Sequence, residues 1–252
     1  MKSKDLVAGR NPVREALRGG RPLNKLFLAK GITGEVIKEI RQMAREKHVP
    51  IQQVERIYLD KLLPWTVHQG VIAFAAEKEY VSIDEILALA SGDPFLILLS
   101  EVVDPRNLGA IMRTAEAVGV HGIIIPARRS ASLTPAVFKA AAGAAEYLPV
   151  ARVTNMAQTI RRLQQKNIWI VGAESSAQEI FWDVQLNGPL ALVIGSEGKG
   201  LGPHLRKNCD LLVRLPMAGH ITSLNTSVAA AVLAYEVFRQ RRRAAHERMP
   251  DC

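Results

Sequence analysis

Three short stretches of this 252-residue chain carry residue types that chemistry needs. The first, Asp104-Pro105-Arg106-Asn107-Leu108-Gly109-Ala110-Ile111-Met112-Arg113, runs from a polar, proline-bearing turn into a helix. It sets an amide, Asn107, near the helix start and a guanidinium, Arg113, about two turns in. Arginine offers phosphate a planar fork of five donors, so the pair suits an anionic or hydroxyl-bearing substrate. A capping asparagine and a surface arginine explain the same letters. The second stretch, Gly195-Ser196-Glu197-Gly198-Lys199-Gly200-Leu201-Gly202, holds four glycines in eight residues, which lets backbone approach a ligand closely. A phosphate-binding P-loop needs Gly-Lys followed by Ser or Thr, and here Gly200 follows Lys199. The dinucleotide fingerprint G-x-G-x-x-G fails too, because Gly198, Gly200 and Gly202 are spaced two and two. ATP and NAD chemistry lose ground, yet Glu197 is more than a turn requires. In the third stretch, Pro216 to Ser227, Ser223, Asn225 and Ser227 are placed to cap the following helix or to bond a ligand.

The elements that must hold these loops follow from hydrophobic spacing. Apolar runs at Phe95–Leu99, Gly122–Ile125, Ile168–Val171, Leu190–Ile194 and Leu211–Leu215 read as buried strands. Helical patterns at Leu108–Val118, Pro135–Ala145, Met156–Lys166 and Val228–Arg242 alternate with them. Continuous apolar strands between helices predict a parallel sheet covered on both faces. Ligands of such sheets bind beyond the carboxyl ends of the strands, which is where the three loops lie. Ahead of this region, Leu23–Ala29, Ile51–Val54 and Val71–Ala75 read as strands and Glu35–Lys47 as a helix, a second and smaller α/β unit. The expected division is 1–77 for that small domain, 78–94 for a linker, 95–243 for the parallel-sheet domain and 244–252 for a flexible basic tail.

Charge points to the partner. Lys plus Arg number 33 against 24 Asp plus Glu, a net charge of +9. Residues 1–79 hold 15 basic and 9 acidic side chains, so two thirds of the excess lies in the first third of the chain. Clustered positive charge favours a polyanion such as nucleic acid, with a solvated basic surface as the alternative. A second cluster, Arg239, Arg241, Arg242 and Arg243, closes the last helix. Cys209 and Cys252 are too few for a disulfide framework or a cysteine zinc site, and no metal is expected. Nothing approaches the ~18 apolar residues of a membrane span, and no apolar h-region of a signal peptide follows the basic first five residues. A cytoplasmic protein without membrane partners is the expectation.

Taken together, the run N-L-G-A-I-M-R-T-A (107–115), the run L-V-I-G-S-E-G-K-G-L (192–201) and the run L-P-M-A-G-H-I-T-S-L-N-T-S-V-A-A-A-V (215–232) resemble the three motifs of the SpoU (TrmH) class of SPOUT RNA 2′-O-ribose methyltransferases, in order and spacing. Gly9–Leu17 and Val67–Val71 resemble the two ends of the N-terminal substrate-binding domain of its RlmB-like branch, and the runs at 152–164 and 167–172 also resemble that branch. That branch methylates a guanosine in the peptidyl-transferase P loop of 23S ribosomal RNA.

The resemblance implies an α/β fold whose C-terminal parallel-sheet domain closes a trefoil knot, beside a small N-terminal α/β RNA-binding domain. It implies S-adenosyl-L-methionine as cofactor, held by Gly195, Leu215 and Leu224 and also by Met217 and Ser223. It names Arg113 as the favoured catalytic residue. Arginine, with a pKa above about 12 and no acceptor atom, serves better as a cation holding a phosphate than as a base. Glu197 is then the better proton acceptor, with orientation of Asn107 or Arg113 as its alternative role, and Asn225 and Ser223 would position the 2′-hydroxyl. Lys4, Arg10, Asn11, Arg14, His68 and Gln69 are the RNA-binding candidates, although His68 and Gln69 serve the fold equally well. The family acts as a homodimer, for which the helix from Val228 to Phe238 is the candidate interface. A transfer-RNA or resistance-type methyltransferase of the same class, or a non-catalytic ribosome-assembly factor, are the alternatives.

Overall fold

The computed structural model describes residues 6–64, 67–198 and 200–247. Lys4, Lys199 and the end of the tail, 248–252, lie outside the described residues. The chain begins β1 (Leu6–Ala8), α1 (Arg10–Arg18), β2 (Leu23–Ala29), α2 (Glu35–Glu46), β3 (Ile51–Val54), α3 (Arg56–Leu62) and β4 (Val71–Ala75). It continues α4 (Ile83–Leu89), β5 (Phe95–Leu99), α5 (Pro105–Ala117), β6 (Gly122–Pro126), α6 (Pro135–Ala141), α7 (Ala144–Tyr147), β7 (Val150–Val153) and α8 (Met156–Gln164). The last elements are β8 (Trp169–Ala173), β9 (Glu179–Ile180), β10 (Leu190–Ile194), α9 (Pro203–Arg206), β11 (Leu211–Arg214) and α10 (Thr226–Glu247).

Two units result. One comprises the chain up to Glu79 together with Ser132–Tyr147, the other Tyr80–Ala131 with the chain from Leu148. This boundary differs from the 95–243 domain expected from the sequence, because α6 and α7 belong with the N-terminal sheet. The reason is polar as well as apolar. Arg21 donates to Glu146 at 3.2 Å with both side chains buried, its guanidinium lies 4.4 Å from the centre of the Phe138 ring, and the Tyr147 hydroxyl donates to Glu15 at 2.8 Å. Lys78 donates to the carbonyls of Ala145 and Glu146, and burial pulls its pKa down to about 8. Burial pushes the Glu146 carboxyl up, opposed by Arg21 and Lys78.

The N-terminal sheet has the order β1-β4-β2-β3, with β2 and β3 parallel and the other pairs antiparallel. Successive side chains of a strand face opposite ways, and β2 buries both sets. Leu26 and Leu28 pack with Val13, Leu17, Ile37 and Ile40 of α1 and α2. Phe27 packs with Leu59 of α3, Val54 and Ile72 on the other face.

The second sheet has seven parallel strands in the order β7-β6-β5-β10-β8-β11-β9. Leu96, Leu98, Ala191 and Val193 join Ile83, Ile86, Ile160 and Leu163 of α4 and α8 in one core. The alternate residues Phe95, Ile97, Leu99, Leu192 and Ile194 are equally buried, toward the side on which α10 packs against β10 and α5. Such apolar burial contributes about 1.5–3 kcal/mol per large side chain. Helix starts carry their own signals. Ser82 and Glu85 form a capping box at α4, and Asn155 caps α8 through the Gln158 amide.

Two boundaries moved from their sequence expectation. Helix α5 begins at Pro105 rather than Leu108, because Asp104 accepts from the Arg106 amide at 2.8 Å and Pro105 occupies the first helical position. Asn107 is thereby released from capping duty. Helix α10 runs on to Glu247, into the expected tail, since Ala244-Ala245-His246-Glu247 contains no helix breaker and Pro250 comes later. The basic cluster on α10 is also partly structural: Arg241 donates to the carbonyls of Asp93, Pro94 and Gly188, and Arg239 pairs with Glu236 at 2.7 Å. His121, at the start of β6, accepts from the Phe95 amide at 3.0 Å, and burial lowers its pKa.

Candidate active site

The three loops converge at the carboxyl end of the seven-stranded sheet. Asn225 Nδ2 donates to Glu197 Oε1 at 3.0 Å and to Asn107 Oδ1 at 3.2 Å, and Asn107 Nδ2 reaches Glu197 Oε2 at 3.5 Å. The amide orientations are forced. Asn225 Oδ1 accepts from the Ser227 amide at 2.9 Å and from its hydroxyl at 2.6 Å, so the Asn225 NH2 group must face Glu197. Asn107 Oδ1 then takes one Asn225 proton, which turns the Asn107 NH2 group toward the carboxylate. Each carboxylate oxygen accepts one such bond and keeps further acceptor capacity for a substrate proton.

Local backbone sets Glu197 there. The turn after β10 folds back on itself, with Ser196 and Gly200 exchanging amide-to-carbonyl bonds of 3.1 Å. A Cβ at Gly195 would stand 2.3 Å from the Gly200 carbonyl carbon, and Gly198 and Gly200 have φ of 77° and 60°. Only glycine fits a contact that close, and it adopts positive φ without steric cost.

Two cavities meet at this turn. The first is lined by Gly195, Gly200, Leu215, Met217, Ser223 and Leu224, among others. The second lies over the start of α5, between Glu101–Pro105 and Asn107. Ser196, Glu197 and Thr226 line both and form the wall between them. All five residues expected to hold a cofactor therefore line one cavity. Its chemistry fits an adenosine-bearing group: apolar Leu215, Met217 and Leu224 for a ring, and a glycine turn that brings backbone within reach. Ser196 and Thr226 escaped the sequence reading, as did Glu174, which also lines this cavity. Glu174 had a legible signal, a carboxylate one residue past a strand of a parallel sheet.

Known proteins fit this geometry. Residues 94–235 match the SpoU rRNA methylase family, and residues 6–81 match the substrate-binding domain of RNA 2′-O-ribose methyltransferases. The chain belongs to the SpoU methylase family. It is thus a TrmH/SpoU-class RNA 2′-O-ribose methyltransferase. YacO of Bacillus subtilis (strain 168), assigned to the TrmH family of tRNA/rRNA methyltransferases, is 48% identical over 240 residues, covering 94% of this chain and 96% of its own. A relative assigned to the same family in Staphylococcus haemolyticus is 42% identical over 239 residues, with the same coverage. Among solved structures, the SpoU methyltransferase AviRb from Streptomyces viridochromogenes aligns with a TM-score of 0.82 at 28% identity, over 96% of this chain and 91% of that one. AviRb in complex with AdoMet aligns at 0.80, with 27% identity over 94% and 90% of the two chains.

Not every residue that the SpoU motifs point to joins the cluster. Arg113 is exposed on α5, makes no hydrogen bond or ion pair among the described residues, and lines neither cavity. It lies six residues beyond Asn107, about 120° around the helix. Ser223 lines the first cavity but bonds none of the three cluster residues.

In the N-terminal unit of this SpoU protein the candidates divide. His68 is 3% exposed; its Nε2 lies 2.8 Å from Asp60 Oδ1 and its Nδ1 accepts from the Gly70 amide at 3.0 Å. Both ring nitrogens are engaged within the fold, which supports the fold-stabilising reading of His68 over the RNA-binding one. Gln69 is exposed at a φ of 50°, accepting from the Arg10 amide at 3.3 Å through its side chain and from Arg10 Nε at 3.4 Å through its carbonyl. Arg14 pairs with Glu15 at 2.9 Å and Glu39 at 3.7 Å. Asn11 is exposed at the start of α1, and the Arg10 guanidinium lies beside Gly34 at the start of α2. Among the described residues no group of three or more His, Cys, Asp or Glu could hold a metal ion, and no helix is long and apolar enough to cross a membrane.

Proposed function

We propose that this enzyme methylates the 2′-hydroxyl of a guanosine ribose in 23S ribosomal RNA, in the peptidyl-transferase P loop. S-adenosylmethionine, when bound, supplies an electrophilic methyl group on a sulfonium, and the glycine-turn cavity is its site. The carrying observation is that Glu197, bonded by the Asn107 and Asn225 amides, lines both cavities. A donor in one cavity and a ribose in the other would meet across Glu197. Its carboxylate takes the 2′-hydroxyl proton, while the two amides hold it in orientation and the ribose oxygen is left to attack. Arg113, always cationic, holds the neighbouring phosphate and offsets developing negative charge.

Arg113 reaches that role in a homodimer. Val228, Val232, Tyr235 and Phe238 recur on one stripe of α10, and each is more than a third exposed. A second copy covers that stripe and supplies an environment one chain lacks. The trefoil knot belongs to the same proposal, as the path that gathers the loops after β10 and β11 into one cavity. The ribosomal target is supported by the N-terminal substrate-binding domain, matched over 6–81. By contrast, the tRNA-modifying TrmH/SpoU enzyme of A. aeolicus aligns over only 66% of this chain, with a TM-score of 0.57. The test is methyl transfer from labelled S-adenosylmethionine to transcribed ribosomal and transfer RNA, with the product position mapped. Label confined to a P-loop guanosine is the expected result; label on transfer RNA alone overturns the target.

A further inference from the structure

The cofactor cavity holds a buried charge that the methyl-transfer reading leaves unused. Glu174 follows β8, is 8% exposed, and lines the same cavity as Gly195 and Leu215. Its Oε1 accepts from the Ser176 hydroxyl at 3.3 Å. Its Oε2 is buried and has no hydrogen-bond partner among the described residues. Arg206 Nε stands 3.4 Å away, but that N–H is directed to the Leu201 carbonyl at 3.1 Å. The carboxylate lies against the glycine turn: a Cβ on Gly200 would sit 3.3 Å from Oε2. A buried acceptor left unpaired is destabilising, more so when charged, so a donor brought by a ligand would recover that loss.

We propose that Glu174 is a cofactor-binding residue that accepts the ribose hydroxyls of S-adenosylmethionine. Sheet order and charge both favour this group over the ammonium of the methionine arm. β8 lies on the far side of β10 from β5, and the acceptor cavity lies over the loop after β5. The reacting methyl belongs at the shared wall, leaving the nucleoside toward β8. In dinucleotide-binding parallel sheets an acidic side chain takes a ribose hydroxyl of the bound nucleotide in this way. Arg206 already offsets the negative charge, so what remains is acceptor capacity, which a neutral diol fills without adding a second cation.

The proposal rests on S-adenosylmethionine binding but not on methyl transfer, so it is tested by calorimetry without RNA. The probes are S-adenosylmethionine and 5′-methylthioadenosine, which keeps the adenosine and lacks the amino-acid arm. Glu174→Gln is expected to weaken both by the same factor, about tenfold or more, as befits a charge-assisted bond. The 2′- and 3′-deoxy forms of methylthioadenosine should bind the wild type more weakly than the parent, and Glu174→Gln should erase most of that difference. Weakening confined to S-adenosylmethionine would assign the carboxylate to the ammonium and overturn the proposal. Unchanged affinities with a lowered ligand-free Tm would make Glu174 a structural partner of Arg206 and overturn it equally. Glu174→Asp, which retains the charge, covers the case of a poorly folding glutamine variant: it should keep the preference for the parent over the deoxy probes, and losing that preference counts against the proposal. A wild type that binds S-adenosylmethionine but transfers no methyl would refute the function proposed above and leave this inference standing.

Discussion

The two units treat their motif-borne polar residues in opposite ways. In the parallel-sheet unit, Glu197 and Asn225 are exposed, and Glu197 accepts from the Asn225 and Asn107 amides with acceptor capacity to spare. In the N-terminal unit, His68 is sealed in the fold and both ring nitrogens are consumed by Asp60 and Gly70. Both stand in stretches that look equally functional as letters. A polar residue is free to act on a substrate when its own chain leaves it both access and hydrogen-bonding capacity, and only coordinates report that.

The sharpest way to break this contrast is Glu197→Ala. It removes the carboxylate at the shared wall and is expected to lower methyl transfer by about 10²–10³-fold, roughly 3–4 kcal/mol in the barrier, with unchanged thermal stability. Retained turnover in labelled-cofactor assays would move the proton acceptor elsewhere.

The N-terminal unit answers instead in stability. Lys78 has its pKa lowered by burial from an ordinary 10.5 to about 8. Between those values the folded chain binds fewer protons than the unfolded one, so the lysine's contribution to stability rises with pH through that window. Measured as wild type minus Lys78→Met in denaturant titrations, the difference should shift toward the wild type by up to about 3 kcal/mol from pH 7 to 10.5. A flat difference would mean that the ammonium is solvated rather than buried.

His68→Ala should cost about 2 kcal/mol, since it leaves the Gly70 amide buried without its acceptor. Calorimetric unfolding checks it. RNA affinity of the folded fraction should stay at the wild-type level; a selective loss of RNA binding at full stability would return His68 to the interface. Arg10→Ala is the mild counterpart. Removing one phosphate-reaching cation should weaken RNA binding by a few-fold and reduce the slope of log affinity against log salt by about 1. An unaltered slope in filter-binding titrations would take Arg10 off the RNA surface.

Much of the architecture was legible beforehand. The five apolar runs are β5, β6, β8, β10 and β11, and their continuity called for a parallel sheet with both faces covered. Short elements escaped because they carry too little periodicity: β1 has three residues, β9 two, and β7 four, one of them the exposed Arg152. The single helix expected over Pro135–Ala145 is two, interrupted where Ala142 takes a left-handed conformation at a φ of 51° and Gly143 follows at 105°.

What the sequence determined by itself was local: which segments are strands and helices, where glycine must stand, and which three loops carry polar groups. Pattern and spacing record those choices because each rests on neighbours in the chain. Only the tertiary structure decided that Asn107, Glu197 and Asn225 meet, that Arg113 lines neither cavity within one chain, and that Glu174 is buried with an oxygen unpaired. Those facts depend on distances between residues dozens of positions apart, and on which hydrogen bonds the fold has already filled.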